Sequence, residues 1–116
     1  MFKWQQGRQG TGYAKMLLAR CRKPVPFDLW LLRYREGSYI DWHHDPVEGK
    51  MHYRINVVLK KAKAGGEFES EDRPLFGSSR VVLFRPDQNR HRVRLIKGGT
   101  RYVLSFGWVT KAYWEV

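Results

Sequence analysis

The sequence predicts a mainly all-β domain of the jelly-roll, or double-stranded β-helix, type, and three observations lead there. Runs rich in Val, Ile, Tyr, Phe and Trp recur at short intervals along the chain. Turns containing Gly, Pro, Asp or Asn separate them. The number of runs, seven with a short eighth around 74–77, fits a jelly roll best.

The predicted strands follow in order. "FDLWLLRY" (27–34) ends at the turn "REGS" (35–38), and "SYIDWH" (38–43) leads to "DPVEG" (45–49). "HYRINVVLK" (52–60) is followed by "KAGG" (63–66), then by "GEFES" (66–70) and the turn "EDRP" (71–74). "RVVLF" (80–84) runs into "RPDQN" (85–89), and "HRVRLI" (91–96) into "KGG" (97–99). "TRYVLSFGWV" (100–109) closes the set. Pro46 stops the strand before it, because proline cannot donate to a ladder. Residues 13–21, "YAKMLLARC", fit either one short helix or an extra strand.

A chain of 116 residues fits a single domain, 1–116, with residues 1–26 as a minimal N-terminal support and 27–110 as the core. At 42% hydrophobic and 15% aromatic it can bury a core, which argues against disorder. No apolar run approaches the roughly 18 residues of a membrane span, and no signal peptide opens the sequence. Cys21 is the one cysteine, so an internal disulfide and a CxxC-type zinc site are excluded, and a reducing cytoplasm is the expected location.

The formal net charge is +11. Residues 1–27 carry six bases and no acid, and residues 80–101 carry seven bases against Asp87 alone. Such a field attracts an anionic partner, whether nucleic acid, an acidic protein or a small polyanion; it equally serves as a solvated surface.

The chemistry centres on "IDWHHDPVEG" (40–49). Residues two apart on a strand share a face, so His43 and Asp45 present an imidazole and a carboxylate toward one point, with His44 turned away. A third ligand has to come from elsewhere, and His91, opening another strand, is the natural candidate. Two histidines and a carboxylate form the facial triad that holds non-haem Fe(II) with open positions. Either histidine alone is equally at home in a turn. Ten residues past His91, Arg101 starts a strand between apolar neighbours, where its fork suits a carboxylate; an edge arginine in water is the plainer reading.

Together, "LLRYREGSYIDWHHD", "HYRINVVLKKAKAGGEF", "RVVLFRPDQNRHRV" and "GGTRYVLSFGW" resemble the Fe(II)- and 2-oxoglutarate-dependent dioxygenases, nearest the prolyl hydroxylase-like branch. The resemblance runs in order over roughly residues 29–109. It implies Fe(II) held by His43, Asp45 and His91, with Arg101 on the distal carboxylate of 2-oxoglutarate and Tyr34 near that cosubstrate. It turns the face of strand 52–60 bearing Asn56 and Arg54 toward the site, with Asn56 as a cosubstrate contact and Arg54 as a second candidate. Relatives often carry a Ser or Thr two residues after the arginine and a tyrosine at the position of Val58. Here Val103 stands in the first position, and Ser105, on the same face, is the available hydroxyl. Asp41 is expected to orient His43 through its carboxylate, and His52 to be structural. With so short an N-terminus, the larger sheet is expected to be bare or covered by a homodimer.

The implied activity is hydroxylation of a C–H bond using Fe(II), 2-oxoglutarate and O2, with release of succinate and CO2. Shared fold does not select the prime substrate. The branch favours a peptide or protein side chain; the basic surface also suits nucleic acid. A non-catalytic basic binding module on the same fold, or a cupin-like enzyme without cosubstrate, are the competing readings.

Overall fold

A computed structural model describes residues 2–7, 9–45 and 50–111, the side chain of Lys111 excepted. Twelve strands occur among them and no helix. They are β1 (Gln5–Gln6), β2 (Ala14–Cys21), β3 (Phe27–Tyr34), β4 (Ile40–His43), β5 (Lys50–Lys60), β6 (Ala64–Gly65), β7 (Phe68–Ser70), β8 (Phe76–Gly77), β9 (Val81–Phe84), β10 (His91–Val93), β11 (Ile96–Gly98) and β12 (Arg101–Lys111).

The larger sheet has the order β1-β2-β3-β12-β5-β9-β8, and the opposing layer consists of β4-β10-β7 and the pair β11-β6. The jelly roll is therefore as expected, and the segment left open between helix and strand is the strand β2. Its pairing with β3 shifts between Leu17 and Ala19. That irregularity breaks the two-residue alternation by which a strand is recognised. The run 91–96 divides into β10 and β11, and 66–70 into β7 with a separate β6 upstream. The short strand foreseen at 74–77 is β8.

Alternation along the central strands sorts side chains by face. Asp28, Trp30, Leu32 and Tyr34 of β3 point between the layers, as do Arg54 and Asn56 of β5 and Ser105 of β12. There the core closes on Tyr13, Tyr34, Val93, Ile96 and Val103, with Leu32, Ile40, Val58, Ala62 and Phe68 packed against it. The opposite face is apolar. Met16, Leu31, Leu104, Val57 and Val81 form one row across five strands, and Ala19, Leu29, Phe106, Ile55 and Leu83 the next. No helix among the described residues covers it.

Candidate active site

Strand pairing brings the histidines together. His43 ends β4, His91 opens β10, and the two are direct partners in that ladder. Their rings lie 4.2 Å apart between centroids. Asp45 follows β4, where its backbone N–H donates to the carbonyl of Pro86 at 2.6 Å. This fixes the carboxylate beside both rings: Asp45 Oδ2 is 3.8 Å from His43 Nε2 and 4.0 Å from His91 Nε2. One ligand atom from each of the three residues falls within 4.8 Å of the others.

The tautomers are set by the backbone. His43 Nδ1 lies 2.9 Å from the carbonyl of Asp41, and His91 Nδ1 lies 2.8 Å from that of Asn89. A carbonyl only accepts, so both Nδ1 atoms carry the proton and both Nε2 lone pairs are left for a metal. The expected role of the Asp41 side chain is corrected here: its Oδ1 accepts from Trp42 N–H, and the Asp41 main chain holds His43. His91 is buried against Phe84 and Phe68. Burial, reinforced by the His43 ring, lowers its pKa to about 4 despite the opposing Asn89 carbonyl, so it is neutral and ready to ligate at pH 7. His44 is exposed, as expected from alternation.

Arg101 begins β12 with only 6% of its surface exposed. Its guanidinium lies over the Tyr34 ring, 5.0 Å from the ring centre, and the two groups interact electrostatically. No carboxylate among the described residues forms an ion pair with it. Burial lowers the arginine pKa and raises that of Tyr34 to about 12; each group partly offsets the other's shift. A buried cation without a counter-charge is costly, and an anionic ligand at this point would relieve the cost.

The hydroxyl beside Arg101 is thus Tyr34, while Ser105 serves a different chain of bonds. Arg54 donates from Nη2 to Asp28 Oδ1 at 2.6 Å and from Nη1 to Ser105 Oγ at 2.7 Å. Ser105 in turn donates to Asn56 Oδ1 at 2.6 Å. Gly107 makes room for this arrangement, because a Cβ there would run into the Arg54 guanidinium. Asp28 was missed in the sequence, although a carboxylate at an inward position of "FDLWLLRY" was the available signal. His52, expected to be structural, lines the cavity of the histidines, with Nδ1 buried and unpartnered. Burial, and then Arg54, lower its pKa.

A jelly roll with two imidazoles and a carboxylate converging on one cavity, and a buried arginine at the start of β12, has the layout of a metal-dependent oxygenase. Residues 29–110 match the family model of the 2OG-Fe(II) oxygenase superfamily, and the chain belongs to that superfamily. It is a 2-oxoglutarate-dependent dioxygenase, with Fe(II), 2-oxoglutarate and O2 as cofactor and cosubstrates.

Among solved structures it resembles the viral collagen prolyl hydroxylase vCPH from Paramecium Bursaria Chlorella virus-1, in a 2OG complex. The TM-score is 0.64 at 14% identity, covering 91% of this chain and 84% of that one. KdgF from Halomonas sp. gives 0.60 at 14% identity, over 90% and 84%. A 2OG-Fe(II) oxygenase family oxidoreductase from Burkholderia pseudomallei gives 0.57 at 20% identity, over 76% of this chain and 47% of that one. At these identities the likeness is one of fold. A search of curated proteins finds no match.

The residues present fit the groups the family uses. Two imidazoles and one carboxylate are a nitrogen–oxygen donor set suited to Fe(II). The uncompensated Arg101 suits a carboxylate of the cosubstrate.

Proposed function

We propose that His43, Asp45 and His91 bind Fe(II), that Arg101 and Tyr34 hold the distal carboxylate of 2-oxoglutarate, and that the enzyme hydroxylates a C–H bond of a peptide or protein side chain. The observation that carries this reading is the convergence of two lone-pair-bearing Nε2 atoms on Asp45. When bound, Fe(II) would activate O2, the oxidant, with two of its four electrons drawn from oxidative decarboxylation of 2-oxoglutarate to succinate and CO2 and two from the C–H bond, which gains the second oxygen atom as hydroxyl.

The chain's own residues do the remaining work. The Asp41 and Asn89 carbonyls hold the imidazoles in their ligating tautomer. Phe68 and Phe84 keep water from the buried side of His91. Asn56 faces the cavity with its orientation fixed by Ser105. Residues 27–110 form the catalytic core on this reading, and β1 and β2 extend the larger sheet as support.

The peptide preference is supported by the fold shared with a viral collagen prolyl hydroxylase. The basic surface favours nucleic acid less than its charge suggests. Arg92 and Arg94 are paired with Glu69, and Arg90 with Glu71. An enzyme needing Fe(II) and carrying a lone cysteine suits a reducing cytoplasm.

An anaerobic optical titration tests the site. A weak visible charge-transfer band should require both Fe(II) and 2-oxoglutarate, vanish in His43→Ala, and demand at least about tenfold more cosubstrate in Arg101→Ala. No band from folded, metal-loaded protein would reject the cosubstrate role. Substrate-stimulated succinate release, assayed with peptides and then oligonucleotides, would separate the substrate classes; an oligonucleotide-only response would overturn the peptide preference.

A further inference from the structure

Arg101 and the three candidate ligands open into different cavities. One, of about 480 Å³, is walled by His43, Asp45 and His91 together with Tyr34, His52 and Arg54, and Arg101 is absent from its walls. Arg101 lies on a second cavity of about 530 Å³, whose rim carries the exposed Lys61, Lys63, Ser79 and Arg80. Asn56 and Phe68 are the walls common to both, so a ligand reaching from Arg101 to the histidines passes them. Gly66 lies on the same cavity beside Arg101, and a Cβ there would run into Ile96 Cδ1 at 2.5 Å and approach the arginine Cδ at 3.3 Å.

The two cavities differ in charge. Lys61, Lys63, Arg80 and Arg101 face Glu67 alone in the second. In the first, Lys15, Arg20 and Arg54 face Asp28 and Asp45, and Arg54 is already paired with Asp28. The focusing of field lines by a low-dielectric wall therefore favours a dianion at the second cavity.

We propose that the second cavity, rimmed by Lys61, Lys63 and Arg80, is the entrance for the dicarboxylate cosubstrate, separate from the metal-side mouth through which the prime substrate enters. This rests on the reading that Arg101 binds 2-oxoglutarate. A prime substrate filling the metal-side mouth then leaves the cosubstrate route open.

Anaerobic stopped-flow mixing of Fe(II)-loaded protein with 2-oxoglutarate, following the charge-transfer band, tests the route. Lys61→Glu/Lys63→Glu should slow association about tenfold at low ionic strength, and the difference should shrink as salt is raised. Ser79→Trp, a plug on the rim, should slow association and dissociation together and leave Kd unchanged. Arg20→Glu, at the metal-side mouth, should associate like the parent. Slowing by Arg20→Glu with no effect of the two rim variants would overturn the route, as would equal slowing by all three. In either case the parent's band would leave the cosubstrate reading standing. Absence of a band in the parent would remove that reading and the route with it.

Discussion

His43 and His91 face each other directly across the β4–β10 ladder, and each gives its Nδ1 proton to the carbonyl two residues before it. The same local geometry is used twice, once leaving a strand and once entering one. Orientation of both rings is therefore a property of the main chain. Asp41→Ala should keep Fe(II) affinity within about twofold of the parent, where removal of a side-chain partner costs 10- to 100-fold, on the order given by known metal sites. Metal titration of the two proteins measures this, and a tenfold loss would return the orienting role to the Asp41 carboxylate.

Acid should weaken the metal-free fold through His91. Its pKa is about 4 when folded, against an ordinary 6.5. Between these values the unfolded chain takes up a proton that the folded chain does not, so the contribution is complete above pH 6.5 and is lost as pH falls toward 4. Denaturation of chelator-treated protein at pH 7, 6 and 5 should show a falling midpoint. His91→Gln should fall less steeply over the same range; an identical slope would assign the loss to other groups.

Arg101 is buried with no ion-pair partner among the described residues. Replacing an unpaired buried cation with an apolar side chain of similar length removes a desolvation cost. Arg101→Met should therefore melt no lower than the parent in the absence of cosubstrate. Its binding of 2-oxoglutarate, read by the optical titration, should drop by at least about tenfold. A large fall in melting temperature would mean that the contact with Tyr34 stabilises the arginine more than burial penalises it.

Gly107→Ala should act through Arg54. The added methyl displaces the guanidinium from Asp28 and Ser105, which costs about 2 kcal/mol through lost charge-assisted bonds. In an Arg54→Ala background the same change has room and should cost at least about 1 kcal/mol less. Urea denaturation of the four proteins gives the coupling directly, and additive effects would refute it.

Local pattern revealed much of the architecture. β3 could be read to its end residues because its apolar run is bounded by Pro26 and the 35–38 turn, and β12 was placed to within two residues. The candidate ligands were legible because HxD, the later His91 and the arginine ten residues on form an ordered series. β2 was not, since the shift between Leu17 and Ala19 erases its alternation. The partners of Arg54 were hidden for another reason. Asp28, Arg54 and Ser105 lie on three strands, and which of them meet depends on pairings that no single segment encodes.

Those pairings also bear on how the sheet avoids misassembly. Asp28 and Arg54 both lie opposite Gly107, and Asn56 lies opposite Ser105. A slip of β5 along β12 by one residue would turn its polar and apolar faces over, and the core would reject it. A slip by two residues keeps both faces as they are. Hydrophobic patterning is blind to that error, but it would set Arg54 against Ser105 or Val109, away from the one position without a side chain, and leave Asp28 without its cation. The same four polar side chains that shape the cavity thus proofread the alignment of the three central strands.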